Sequence, residues 1–200
     1  MSALLNPADS GFRRAVAWVA ALNLAYFNIE FAVALAIGSV SLFADSVDFL
    51  EDTSINLLIL LALGWSTLAR ARVGIVLAAV LLVPGIATLW TAWAKFGDPA
   101  VPAPMPLTLA GLGALAINLT CAVILARFRA HSGSLSRAAF LSARNDAFAN
   151  VAIIAAGLVT AFAWHSPWPD IAVGLAIAVV NLDAAREVWE AAREEHAVEA

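Results

Sequence analysis

SLFADSVDFLEDTSIN, residues Ser41 to Asn56, is an apolar helical pattern interrupted by Asp45, Asp48, Glu51 and Asp52. It lies within a longer apolar run, from about Val40 to Trp65, that is long enough to cross a bilayer core of about 30 Å. A carboxylate in hydrocarbon costs a few kcal/mol at least, so acids in such a run mark a substrate or ion pathway by default. They are tolerable there only with cations, protons or water beside them. The rest of the chain has to be read as the scaffold that holds this stretch.

Working outward, the 200 residues are 62% hydrophobic and 13% charged, with a mean hydropathy of +0.87. A soluble domain carries about 25% charged residues. The apolar excess falls into six runs: Val16 to Ile37, Val40 to Trp65, Val73 to Trp93, Leu107 to Phe128, Ala138 to Trp164 and Asp170 to Ala185. Gly38-Ser39 turns the first into the second. KFGDPAVPAPMP (Lys95 to Pro106) is read as a loop, since its prolines break a helix. RAHSGSLSR links the fourth run to the fifth, and HSPWP the fifth to the sixth. The expected organisation is a polar lead over 1–13, a membrane domain over 14–186 and a short charged tail over 187–200, with no soluble metal-binding domain. The fold class is all-α, a six-span membrane bundle. The first run is longer than a cleaved signal peptide, is interrupted by Asn23, Asn28 and Glu30, and lacks a clear cleavage site.

Basic residues set the expected orientation. With six spans, Arg13, Arg14, Arg70, Arg72, Arg127, Arg129, Arg137, Arg186 and Arg193 fall on one side and Lys95 on the other. The excess of arginine marks the cytoplasmic side, so both termini are expected there. Trp90, Trp93, Trp164 and Trp168 gather at the opposite boundary, as interfacial aromatics do. The net charge of -4 carries no sign of nucleic-acid binding, and the single cysteine, Cys121, allows no internal disulfide.

Asp48 and Asp52 are one helical turn apart on one face, a spacing that lets two carboxylates reach one cation. Asp48 lies roughly 12 Å below one surface and Asp146, on the antiparallel fifth run, roughly 12–15 Å below the other, at 1.5 Å per residue. Asp48, Asp52 and Asp146 therefore reach one level near the midplane, and the expectation is a cation site. Ser142 and Asn150 sit one turn either side of Asp146. Asn23, Glu30 and Asn118 also lie in spans, where polar groups either orient the acids or bond between helices. Asp45 shares the face of Asp48 or the next one; Glu51 points toward another helix end or a subunit contact. Arg144, two residues from Asp146, is read as reaching to the membrane surface. The sequence offers no nucleophile–base pair, phosphate-binding loop or histidine cluster, and His131, His165 and His196 lie in loops or the tail. It is not read as an enzyme.

NLAYFNIEF (Asn23 to Phe31), GSVSLFADS (Gly38 to Ser46) with the Asp48/Asp52 pair, INL (Ile117 to Leu119), RNDAFANVAIIAA (Arg144 to Ala156) and WPDIAVGL (Trp168 to Leu175) together resemble the cation diffusion facilitator, or cation efflux, family. The resemblance covers nearly the whole chain. It implies a transport site built from two pairs, a His or Asp four residues before an Asp, one pair in the second span and one in the fifth. By position these are Asp48 and Asp52, then Ser142 and Asp146. Ser142 replaces a strong ligand and is a weak fourth one; water, Asn145 or Asp45, held in reserve, can fill the gap. The implied activity is export of a divalent cation (zinc, cobalt, cadmium, iron or manganese) in exchange for protons, with the metal as cargo and no cofactor. The implied setting is a bacterial inner membrane, with lipid around the spans and a homodimer formed through them. The alternative is a non-transporting membrane partner subunit that keeps the fold, since Ser142 stands at a ligand position and no cytoplasmic domain is expected.

Overall fold

The structure is a computed structural model that describes residues 7–62, 86–97, 99–128 and 133–180, with side chains described over 10–61, 86–97, 99–128 and 145–180. Six helices lie among the described residues: α1 (Pro7–Ile37), α2 (Val40–Ala62), α3 (86–97), α4 (Pro104–Ala126), α5 (Gly133–Phe162) and α6 (Trp168–Val180). Most of the third apolar run, the loop arginines Arg70, Arg72 and Arg129, and the tail with Arg186, Arg193 and His196 lie outside the described residues.

The bundle is inverted relative to a water-soluble protein. Trp18, Ile29, Leu35, Leu109, Leu119, Val123 and Phe148 are exposed, while Asn23, Glu30, Asp45, Asn118, Asn150 and Asp170 are at most 2% exposed. In water so much exposed apolar surface marks an interaction face. In lipid it costs nothing, and the polar groups turn inward to find one another. Ser10–Ile37, Pro104–Ala126 and Asn145–Phe162 are each long and apolar enough to span. Helix α2 has the length as well, with Asp45 and Asp52 buried in the bundle.

Two helix starts differ from the sequence-based expectation. The loop assigned to Lys95–Pro106 is shorter: Lys95, Phe96 and Gly97 continue α3, and α4 begins at Pro104. Pro104 and Pro106 fall in the first turn of α4, where the N–H that proline lacks has no intrahelical acceptor anyway. Helix α1 likewise starts at Pro7, ahead of the apolar run. Between α1 and α2, Gly38 takes φ of 64°, the left-handed conformation in which a missing Cβ removes the penalty, and Ser39 N–H donates to Ala34 O at 3.0 Å to close the end of α1.

Helix α1 packs on α2 and α4, α4 on α5, and α2 also touches α5. Small residues let the backbones approach, as membrane interfaces require without a hydrophobic driving force. A Cβ at Gly111 would meet Ile153 and Ile154 at 3.1 Å, and one at Gly157 would collide with Thr108. At Gly113 the tenant is the Tyr26 hydroxyl, which donates to Ala110 O at 2.6 Å. Gly113→Val drives Tyr26 from this seat and loses that bond, an overpacking cost of about 1–3 kcal/mol. The expected result is a lower thermal midpoint in detergent, with Gly97→Ala, which meets nothing within 4 Å, left near wild type.

The two ends of the bundle differ. At one, Phe12 on α1 stacks near Phe128 (centroids 5.9 Å apart) beside exposed Arg13, Arg14 and Arg127. At the other, where Lys95 is buried, Trp90, Trp93, Trp164 and Trp168 are exposed, and Phe96 bridges Trp93 and Trp168 at 6.3 and 5.6 Å.

Candidate functional site

Asp45, Asp48 and Asp52 fall at i, i+3 and i+7 on α2, close to a single stripe of the helix. The packing divides that stripe. Asp45 is 0% exposed and Asp52 8%, both inside the bundle, whereas Asp48 is half-buried at the wall of a cavity. Asp146, near the middle of α5, lines the same cavity, together with Asn145 one residue before it. The antiparallel course of α2 and α5 therefore brings Asp48 and Asp146 to one depth, as their spacing from the helix ends predicts.

The cavity lies along α5 and α6, with a volume of about 630 Å³, and its remaining wall is mostly alanine and β-branched side chains. At about 30 Å³ per water, the space holds a cation with a complete hydration shell. Against a wall that is otherwise mostly apolar, Asp48 and Asp146 are the charged groups this cavity offers a cation.

The buried acids are held by amides. Asn23 on α1 donates through Nδ2 to Asp52 Oδ2 at 3.3 Å, and Cys121 on α4 donates its thiol to Asn23 Oδ1 at 3.5 Å. Asn118 Nδ2 donates to Asn150 Oδ1 at 2.9 Å, and Asn150 Nδ2 donates to Asp45 Oδ2 at 2.6 Å. Asn23 and Asn150 thus do both jobs the sequence left open: they bond between helices and they orient carboxylates. Asn56 instead donates to the Asp52 backbone carbonyl at 2.7 Å. Glu51 is half-buried on the same helix, within electrostatic reach of Asp48 and Asp52.

Glu30 is the site residue that sequence reasoning undervalued. It is 0% exposed, and its carboxyl meets that of Asp45. Glu30 Oε1, Glu30 Oε2 and Asp45 Oδ1 receive no N–H or O–H from another described residue. Two carboxyls in contact need a proton or another cation between them. The signal available in the sequence was an acid on the inward face of α1 with Asn23 seven residues before it, but only packing could say which acid it would meet.

Ser142 lies on α5 one turn before Asp146, and its side chain, like that of Arg144, is outside the described residues. His165 is exposed in the loop before α6, and His131 is outside the described residues. Among the described residues, no three His, Cys, Asp or Glu side chains close on a single point. Asp48 and Asp146 share the cavity while Asp52 is turned to Asn23 and Asp45 to Asn150 and Glu30. What the arrangement offers is two carboxylates on one cavity, with a third one turn away on α2 and a buried acid pair behind.

A family model described as the cation efflux transmembrane domain matches residues 16–194. No curated protein matches the chain.

Proposed function

This chain belongs to the cation efflux family, and from that premise we propose that it exports a divalent metal cation from the cytoplasm in exchange for protons. Members of this family are multi-pass membrane proteins that transport cations; the ion, its ligands and the coupling are the proposal. The observation that carries it is the shared cavity: Asp48 from α2 and Asp146 from α5, each well inside its helix, line one space.

In this reading Asp48, Asp52 and Asp146 are the ligands. Asp52 leaves Asn23 by rotating its side chain when the ion arrives, and the 3.3 Å bond it gives up is a weak one. Ser142 supplies a hydroxyl or holds a water at the fourth position. Asp45 stands behind the site, engaged by Asn150 and Glu30. A ligand set made only of oxygen suits harder divalent ions better than a set with thiolate or imidazole would, so manganese or iron competes with zinc, cobalt and cadmium as cargo. Carboxylates near the midplane bind either a dication or protons, so loading one releases the other. Rocking of α-helical halves about this fixed site would present it to each side in turn.

The arginine-bearing end is assigned to the cytoplasm and the tryptophan-ringed end to the outside, in a bacterial inner membrane, with a homodimer assembled through the spans. The test is metal uptake by proteoliposomes carrying the purified protein, with zinc, cobalt, cadmium, iron and manganese each run against an imposed pH gradient. Uptake of at least one ion that collapses when the gradient is removed is expected. Folded protein that moves none of them would overturn the exporter and leave a non-transporting partner subunit.

A further inference from the structure

Asp170 opens α6, is 0% exposed, and gathers donors from two other helices. It accepts from Ser39 Oγ and Ser41 Oγ, each at 2.6 Å, from the backbone N–H of Val40 at 2.8 Å and of Ser41 at 3.2 Å, and from Lys95 Nζ of α3 at 3.3 Å. Val40 and Ser41 are the first residues of α2. Their N–H groups have no acceptor within the helix, and a carboxylate placed there also meets the positive end of the helix dipole. Helix α6 thus caps α2 from outside. The cap needs acceptor oxygens: an amine in its place has nothing to receive those N–H groups with, and an amide offers one oxygen in place of two.

The closure below the cap is tight. A Cβ on Gly174, one turn further along α6, would stand 2.7 Å from the backbone carbon of Val40 and 2.8 Å from Ser41 N. Val40, Ala92 and Ile171 form a small dry cluster from α2, α3 and α6. Leu42, Ala44, Leu107 and Ile153 continue it toward the acids. Among the described residues these apolar layers lie between the acids and this end of the bundle, and Asp170 on α6 bonds to both α2 and α3 there.

The geometry points to the Lys95–Asp170 pair as the lock that shuts this end of the bundle: it ties α3 and α6 to the start of α2, and its parting is the motion that opens the acid site on the tryptophan-ringed side. Asp170 and Lys95 are positioning residues; neither reaches the cavity. A purely apolar contact would close the end as well but could not part into water cheaply. Charged and hydroxyl groups can, since each finds water when the helices separate. That the lock gates an ion rests on the transport reading; that it holds the end shut does not.

The experiment reads closure without transport. In a Cys121→Ala background, Ala44→Cys places a thiol in the dry layer, and its rate of reaction with a membrane-impermeant thiol reagent is measured in proteoliposomes sorted by orientation. Slow labelling is expected with Lys95 and Asp170 intact. Lys95→Met and Asp170→Asn should raise the rate from the tryptophan-ringed side by about tenfold or more, within the range by which one coupling contact shifts a two-state equilibrium. Lys95→Arg should restore protection, and the exchange Lys95→Asp with Asp170→Lys should not. Ser41→Ala, which leaves no buried charge unpaired, gives an intermediate rate and serves if the charge variants fail to fold. Wild-type rates in folded Lys95→Met and Ser41→Ala would overturn the lock. Wild-type protein that moves no ion yet shows these labelling rates would sink the exporter and keep the lock.

Discussion

Asp48→Asn and Asp146→Asn are each expected to abolish ion transport while leaving the protein folded and inserted. Asparagine keeps the shape of the side chain and removes its charge, so the cavity wall that both residues line is preserved and only the attraction for a dication is lost. Residues that merely orient a metal ligand already change affinity or activity by about 10–100-fold when replaced, and a ligand itself should exceed that. Proteoliposome uptake, with thermal unfolding in detergent as the check on folding, measures it. Asp52→Asn divides two outcomes. If Asp52 swings from Asn23 to the ion, transport falls as it does for Asp48. If transport persists at near wild-type rate, Asp52 is a structural partner of Asn23 rather than a ligand, and the site is the Asp48–Asp146 pair with water. Retained transport in both Asp48→Asn and Asp146→Asn would remove the cavity from the mechanism.

Glu30→Ala is expected to be the most destabilising single change inside the bundle, and Glu30→Gln nearly silent for stability. Alanine empties the volume of a long buried side chain, which costs on the order of 2–5 kcal/mol. It also leaves Asp45 Oδ1, which has no donor among the described residues, facing the void. Glutamine fills the same space and offers an N–H to that oxygen, so one neutral hydrogen bond replaces the carboxyl–carboxyl contact. Thermal midpoints of the purified proteins separate the two. A Glu30→Ala midpoint equal to that of wild type would mean that the contact with Asp45 holds nothing together. Asn150→Ala tests the other side of Asp45: it removes the 2.6 Å donor and should lower the midpoint in the same direction.

The order of the chain made much of this legible. Runs of apolar residues long enough for a bilayer, the turn at Gly38, and the arginines at one end against Lys95 and tryptophan at the other all follow from local composition, because the bilayer imposes one length and one polarity profile on every span. The level shared by Asp48 and Asp146 was equally accessible, since depth in an antiparallel helix is a count of residues from its end. The proline-rich segment was misjudged at its edges: proline bars the interior of a helix, not its first turn, and Pro104 and Pro106 use that exemption.

Which acids face which partners was beyond the sequence. Asp45, Asp48 and Asp52 lie on one stripe of α2, and a few tens of degrees of helix rotation decide that Asp48 opens on the cavity while Asp45 meets Glu30 and Asn150 and Asp52 meets Asn23. That rotation is set by contacts between residues far apart in the chain, above all by Gly174 against Val40 and by Asp170 against Ser39, Ser41 and Lys95. Periodicity gives each helix a face; the close approach of small residues and the pairing of buried polar groups choose what that face meets.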